Sequence, residues 1–218
     1  MPEKMRTNYR IERANGGLLC DLWFLTVGCI HDAQGGCVMC NYGKGSGAVN
    51  WDKILSELKR IVERLPWKFE DFLLTPSGSM LDEREVSKSM REDLCRILQG
   101  IKTKRFIIES RADTISAEGL DFVKKAVPDA EKYIEIGVES SENWILKHCI
   151  NKNTTYEMFQ EAVRKIHDAG MYVTANIGLG YPFMSEKAAV SHTVRSIKDV
   201  LNDGADSVVL FPYHIKKG

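Results

Sequence analysis

The chain has 218 residues, 44% hydrophobic and 28% charged, which excludes a disordered or fibrous polymer and predicts one domain over 1–218 rather than two well-cored ones. Thirty basic residues offset thirty acidic ones, so no global field draws the chain to nucleic acid or an anionic membrane, while a local basic patch stays open. No apolar run approaches the ~20 residues of a spanning helix, and MPEKMRTNYRIER lacks a signal-peptide core; the expectation is a cytoplasmic protein with no membrane partner.

Residues 1–19 are read as an N-terminal extension. Leu22 to Val27, LWFLTV, is continuously apolar or β-branched, as a strand buried on both faces would be, and Gly28 ends it. Residues 28–47, GCIHDAQGGCVMCNYGKGSG, contain six glycines and predict a loop with special backbone demands. After Asn50, a predicted N-cap, Ile54, Leu55, Leu58, Ile61, Val62 and Leu65 recur at helical spacing until Pro66.

The alternation then repeats. Phe69 to Thr75 predicts a second strand, followed by a turn at Pro76-Ser77-Gly78-Ser79 and a helix burying Val86, Met90, Leu94, Ile97 and Leu98. Arg105 to Ser110 is a third strand, with Leu120, Val123 and Val127 on its helix. Tyr133 to Val138 is a fourth, and its return helix starts at a capping box, Thr154 with Glu157, and buries Phe159, Ala162, Val163 and Ile166. Met171 to Ile177 is a fifth, with Val190, Val194, Ile197 and Leu201 as the following stripe, and Ser207 to Phe211 is a sixth.

Six strands alternating with helices predict a parallel sheet, and right-handed crossovers place every helix on one side if that sheet curls. A closed eight-stranded barrel takes about 250 residues, so a partial (β/α)6 parallel barrel fits this length better. A flat doubly wound sheet is the rival, but no phosphate-binding glycine fingerprint follows the first strand. Too few residues follow Phe211 to build a helix. The apolar sixth strand is therefore expected to be covered by a second chain or a further C-terminal segment, with residues 1–19 as the alternative.

Six cysteines in a reducing compartment argue against a disulfide framework. Cys20, Cys95 and Cys149 lie in apolar surroundings and read as core, whereas Cys29, Cys37 and Cys40 crowd into twelve residues. Their spacing is C-x7-C-x2-C, and the loop follows a strand, at the barrel face that holds active sites. Three thiolates rather than four leave a metal position open for a substrate or cofactor. Iron–sulfur is the leading reading; zinc with His31 as fourth ligand and chance clustering are its competitors.

The loop GCIHDAQGGCVMCNYG resembles that of radical S-adenosylmethionine (SAM) enzymes, whose common motif is C-x3-C-x2-C with an aromatic residue before the third cysteine. Here the first gap is seven and Met39 takes the aromatic position, a departure similar to the archaeosine-synthesis radical SAM proteins, relatives of the Elongator catalytic subunit and of methylthiotransferases. The resemblance runs from about Leu22 to Tyr213. It implies a [4Fe–4S] cluster on Cys29, Cys37 and Cys40, with SAM chelating the open iron and an external one-electron donor as partner.

It also implies SAM contacts at later strand ends. Ser77, Gly78 and Ser79 would receive the amino group, Arg111 the carboxylate, and Glu139 and Ser140 a ribose hydroxyl or the ammonium. Asn176 to Gly180, through Gly178 and Gly180, would let backbone approach the adenine. Ordinary turn, cap and solvated-arginine roles compete at these positions, and Cys95 and Cys149 could serve as auxiliary hydrogen donors rather than core. The expected activity is reductive SAM cleavage to a 5′-deoxyadenosyl radical that abstracts hydrogen, with tRNA or a small molecule as substrate. A non-catalytic zinc or iron–sulfur subunit is the alternative.

Overall fold

The computed structural model describes residues 6–14, 16–40, 42, 49–66 and 68–213. The end of the glycine-rich loop, the first residues of the N-terminal extension and the tail from 214 onward lie outside them. The elements are β1 (Thr7–Ala14), β2 (Gly17–Phe24), a one-turn α1 (Ile30–Ala33), α2 (Trp51–Val62), β3 (Lys68–Pro76), α3 (Lys88–Leu98), β4 (Lys102–Ser110) and α4 (Ala117–Ala126). They continue through β5 (Glu131–Glu139), α5 (Asn143–Ile145) running into a π turn at Leu146–Ile150, α6 (Tyr156–Asp168), β6 (Tyr172–Leu179), α7 (Glu186–Asn202) and β7 (Ser207–Pro212).

All seven strands join one sheet in the order β1-β2-β3-β4-β5-β6-β7. A doubly wound sheet reverses its strand order at a switch point, and this one never does, so the crossovers coil it into a half-barrel with helices outside. The six expected strands are β2 to β7, paired in parallel. The seventh, β1, corrects the reading of the extension: it pairs antiparallel along all of β2. It therefore protects the β2 edge and leaves β7 as the other edge, where Leu210 and Phe211 are 47% and 43% exposed. The first predicted strand also shifts, to Gly17–Phe24, because Thr26 leaves the ladder to bond Ser77.

The helices start where side-chain oxygens meet free N–H groups. Asn50, Ser87, Ser116, Thr155 and Ser185 accept from Lys53, Met90, Gly119, Met158 and Ala188 respectively, each cap contributing about 1 kcal/mol. The cap of α6 is thus Thr155, and Thr154 is buried beside it. The glycine-free stretch Ile30–Ala33 forms one helical turn inside the predicted loop. On α7 most of the expected stripe is turned outward: Ala189, Thr193, Ser196 and Val200 are buried and Ile197 packs against the core, while Val190, Val194 and Leu201 are exposed. Small residues allow that close approach, and Thr193 Oγ1 donates to the Gly178 carbonyl at 2.9 Å while Ser196 Oγ accepts from Ser141 N at 2.9 Å.

The convex face of the sheet carries the core, with Leu22, Phe24, Phe72, Leu74, Phe106, Ile108, Ile134, Ile136 and Val173 against the helices. Period-two alternation sends their neighbours to the concave face. Toward the N-terminal ends of the strands that face is closed by Arg105, which pairs with Asp71 and lies 6.0 Å from the Tyr133 ring, itself stacked on Tyr172 at 4.8 Å. The open end lies at the strand C-termini.

Candidate active site

A cavity of about 280 Å³ opens at those C-termini, and Cys29, Cys37 and Cys40 all line it. The backbone explains how one loop presents three thiols. Cys29 precedes α1, Gly35 and Gly36 both take positive φ after it, and Cys40 N bonds to the Cys37 carbonyl at 3.0 Å in a tight turn. The segment after β5 clamps this loop: Val38 N donates to Ile150 O at 2.9 Å, Asn151 Nδ2 to Gly36 O at 2.8 Å, and His31 Nε2 to Asn151 O at 2.7 Å. That last bond engages His31 in the loop frame, in keeping with a loop role. Among the described residues no three histidine, cysteine or acidic side chains converge on a single ion. Burial pushes the Cys37 thiol up to about 11, with Lys152 opposing.

The turn after β3 is organised by a residue absent from the predicted site, Glu85. Its buried carboxylate accepts from Ile30 N at 2.9 Å, from Ser79 N at 2.5 Å and from Arg111 Nη1 at 2.6 Å, so it ties the cysteine loop to the turn. Gly78 has φ 143°, and a Cβ there would collide with that carboxylate. Gly78 lines the cavity, whereas Ser77 and Ser79 turn away from it: Ser77 Oγ accepts from Thr26 N at 2.8 Å and Ser79 Oγ bonds Ser110 Oγ at 2.7 Å. Arg111 is committed to Asp82, Glu85 and Asp113, and Nη1 also points at Cys29 Sγ, 3.6 Å away. Against its burial, hydrogen bonds from Arg84 and Arg111 hold the Asp82 carboxyl down at about 2. With three carboxylates already around it, Arg111 serves the loop frame more than a ligand carboxylate.

At the end of β5, a bulge between Gly137 and Glu139 and a φ of 68° at Glu139 turn its side chain into the cavity. Tyr213 Oη donates to Glu139 Oε2 at 2.7 Å and Lys152 Nζ lies 3.6 Å from Oε1. Ser140 is fully buried behind the wall, where its Oγ accepts from Glu142 N at 3.1 Å. Asn176 lines the cavity. At Gly178 the room left by a missing Cβ is filled by the Tyr213 ring, while Gly180, with φ 88°, has open space around it.

Glu109 and Glu135, side by side in the β4–β5 register, complete the wall. Burial, then Glu135, Asp21 and Glu139, push the Glu109 carboxyl up to about 8. Burial raises Glu135 to about 7, with Asn176 donating a hydrogen bond that opposes it and Asp21 adding to it. Both, with Glu85, Lys152 and Tyr213, escape the sequence reading; an acid inside each of the apolar runs FIIES and YIEIGVE is the visible trace of Glu109 and Glu135.

The Radical SAM superfamily model matches residues 23–192. An archaeosine synthase subunit beta from Methanosarcina acetivorans is 26% identical over 89% of this chain and 57% of its own length, and one from Thermococcus kodakarensis is 29% identical over 79% and 55%. The chain thus spans little more than half the length of these relatives. Methylornithine synthase shares the fold with a TM-score of 0.65 at 13% identity, covering 92% of this chain and 55% of its own. Methanocaldococcus infernus Elp3 does so at 0.55 and 20%, covering 77% and 42%. With three cysteines on the loop after β2 and a family match across most of the half-barrel, the chain belongs to the radical SAM superfamily of enzymes.

Proposed function

We propose that this protein is a radical SAM enzyme that holds a [4Fe–4S] cluster on Cys29, Cys37 and Cys40 and binds SAM across the strand ends. When bound and supplied with one electron by an external donor, that pair breaks the S–C5′ bond of SAM into methionine and a 5′-deoxyadenosyl radical, which takes a hydrogen atom from substrate. The observation that carries the reading is that all three thiols open onto one cavity with Gly78, Glu139 and Asn176 on its wall.

Glu85 and the 150–152 segment hold the cysteine loop, so the thiols need little reorganisation. Glu139, set by Tyr213 and Lys152, offers an acceptor to a ribose hydroxyl or an ammonium. Arg111 places positive charge beside Cys29, its Nη1 3.6 Å from the sulfur. Buried Ile145, Leu146 and Tyr181, with the partly buried Met39 packed against them, surround the loop with apolar groups that keep water away.

The relatives' name supports a substrate in tRNA base modification and a partner chain, since they are a subunit beta. The exposed β7 edge and the outward Val190, Val194 and Leu201 support a further element packing there. A small-molecule substrate is the second reading, favoured by the neutral composition.

Anaerobic reconstitution tests the core of this proposal. About four iron and four sulfide per chain are expected, with 5′-deoxyadenosine released on reduction in the presence of SAM, and alanine at any of the three cysteines should abolish both. Stoichiometric tight zinc in a colourless protein would overturn it in favour of a metal-binding subunit.

A further inference from the structure

We propose that the exposed surface formed by Trp144, Lys147 and His148 beside Val38 is the docking site of the one-electron donor, and that this donor is a small acidic carrier protein. The inference rests on the reading that Cys29, Cys37 and Cys40 hold a cluster, and it concerns the side from which the electron arrives. One electron leaves the reduced carrier and enters that cluster, and no atom is transferred.

Residues 143–150 divide between two faces. Ile145, Leu146, Cys149 and Ile150 are each 2% exposed or less and form a small core against which Cys37 and Met39 pack. Trp144 stays outside that core: it is 61% exposed, and its ring stands 5.3 Å from that of His148. Tryptophan is normally well buried, and a rigid amphipathic ring held in solvent by a stacked neighbour has the character of an interface anchor. The same segment also meets the cysteine loop. Val38 N donates to the Ile150 carbonyl at 2.9 Å, and Val38, 56% exposed, lies in the chain between Cys37 and Cys40. A carrier seated here touches the chain one residue from Cys37, on the outside of the loop, and leaves the cavity free.

Charge selects the carrier. From Asn143 to Tyr156 the sequence has Lys147, His148 and Lys152 and no aspartate or glutamate. Lys152 turns to Glu139, which leaves Lys147 as the outward charge with His148 exposed beside it. The flanking acids are engaged, Glu142 by Arg195 at 2.5 Å and Glu157 by the Asn143 amide at 3.0 Å. An aromatic ring beside a lysine complements a protein with an acidic rim. Electron-transfer encounters bury less than about 1,200 Å² in all, so a small patch suffices. A nucleic-acid strand relies on several phosphate contacts, and a single outward lysine does not supply them.

The test is calorimetric titration of the anaerobically reconstituted protein with an oxidised acidic ferredoxin and, separately, an acidic flavodoxin, at low and high salt. At least one carrier should bind, and more weakly as salt rises. Trp144→Ala should weaken that carrier about tenfold, and Lys147→Glu about fivefold at low salt with a flatter salt dependence. Lys59→Glu, the same charge change in the last turn of α2, should stay within about twofold of wild type. Iron content and the rate of cluster reduction by dithionite, which needs no docking surface, should match wild type in these variants and so separate docking from loss of fold. Binding of neither carrier, or unaltered carrier affinity in Trp144→Ala and Lys147→Glu, overturns the proposal. So does tighter binding of a single-stranded oligouridylate that the same variants abolish, since the surface would then serve a nucleic-acid substrate. Failure of the wild-type protein to take up iron defeats the cluster reading instead, and the same titrations before reconstitution still decide the docking surface.

Discussion

Replacing Glu135 by glutamine should stabilise the protein, and only at neutral to alkaline pH. The carboxyl rises from 4.5 to about 7 because burial disfavours its charged form, and Asp21 adds to this while Asn176 works against it. At ~1.36 kcal/mol per unit the full shift corresponds to roughly 3 kcal/mol, and water entering the cavity reduces this to about 1–2 kcal/mol. A carboxyl with a higher pKa folded than unfolded takes up a proton on folding. Its favourable contribution is complete below pH ~4.5, declines as pH rises and is gone above about 7. Glutamine keeps the shape and never ionises. Urea unfolding of the two proteins, with SAM absent, should give curves that coincide near pH 5 and separate by about 1–2 kcal/mol in favour of Glu135→Gln at pH 8.5. A gap of the same size at both pH values would refute the reasoning, because packing and not ionisation would then set the difference.

Glu85→Gln keeps the hydrogen-bonding shape but removes the charge facing Arg111, and should cost about 2–4 kcal/mol and lower cluster occupancy on reconstitution; full occupancy at unchanged stability would remove Glu85 from the loop frame. Glu139→Ala should weaken SAM binding about tenfold while iron and sulfide content stays intact, as equilibrium dialysis against labelled SAM would show; unaltered affinity takes Glu139 out of the site. Gly178→Ala should cost about 1–3 kcal/mol in thermal denaturation, because the new methyl collides with the Tyr213 ring, and should also disturb the Tyr213–Glu139 bond; an unchanged midpoint would mean that the ring moves aside freely. Sedimentation at micromolar concentration should show self-association or dye binding through the β7 edge, and Phe211→Ser should reduce it; a well-behaved monomer with low dye binding contradicts an uncovered apolar face.

The alternation of strands and helices was legible because β2 to β6 are walled on their convex face by helices, so their hydrophobic runs end where glycine and proline punctuate them. The cysteine loop was legible because thiolate spacing is local in sequence. β1 is harder: TNYRIERA is charged, with Tyr9 and Ile11 exposed, and its best signal in the sequence is the following Asn-Gly dipeptide, a composition typical of two-residue hairpins. The outward stripe of α7 misleads because apolar periodicity marks a face without saying what lies against it, and here Thr193 and Ser196 win the inner face by bonding to strand-end backbone. Glu85, Lys152 and Tyr213 act across separations of 55, 13 and 74 residues from Ile30, Glu139 and Glu139 in turn, and no local pattern encodes such meetings.

The depth of the cavity assigns different work to different levels of the same strands. At the tips, side chains arrive from loops, and each is fixed by a partner from another loop: Glu139 by Tyr213 and Lys152, the cysteine loop by Glu85 and Asn151. Such pairing sets geometry but leaves few unmet polar groups. One level down, Glu109, Glu135 and Asn176 project from the sheet itself, whose ladder sets their spacing. Glu109 and Glu135 stand side by side there, above the Arg105–Asp71 pair and the Tyr133–Tyr172 stack on the same face. The strand tips are therefore held by side-chain pairs between distant segments, and the level below them by the sheet ladder itself.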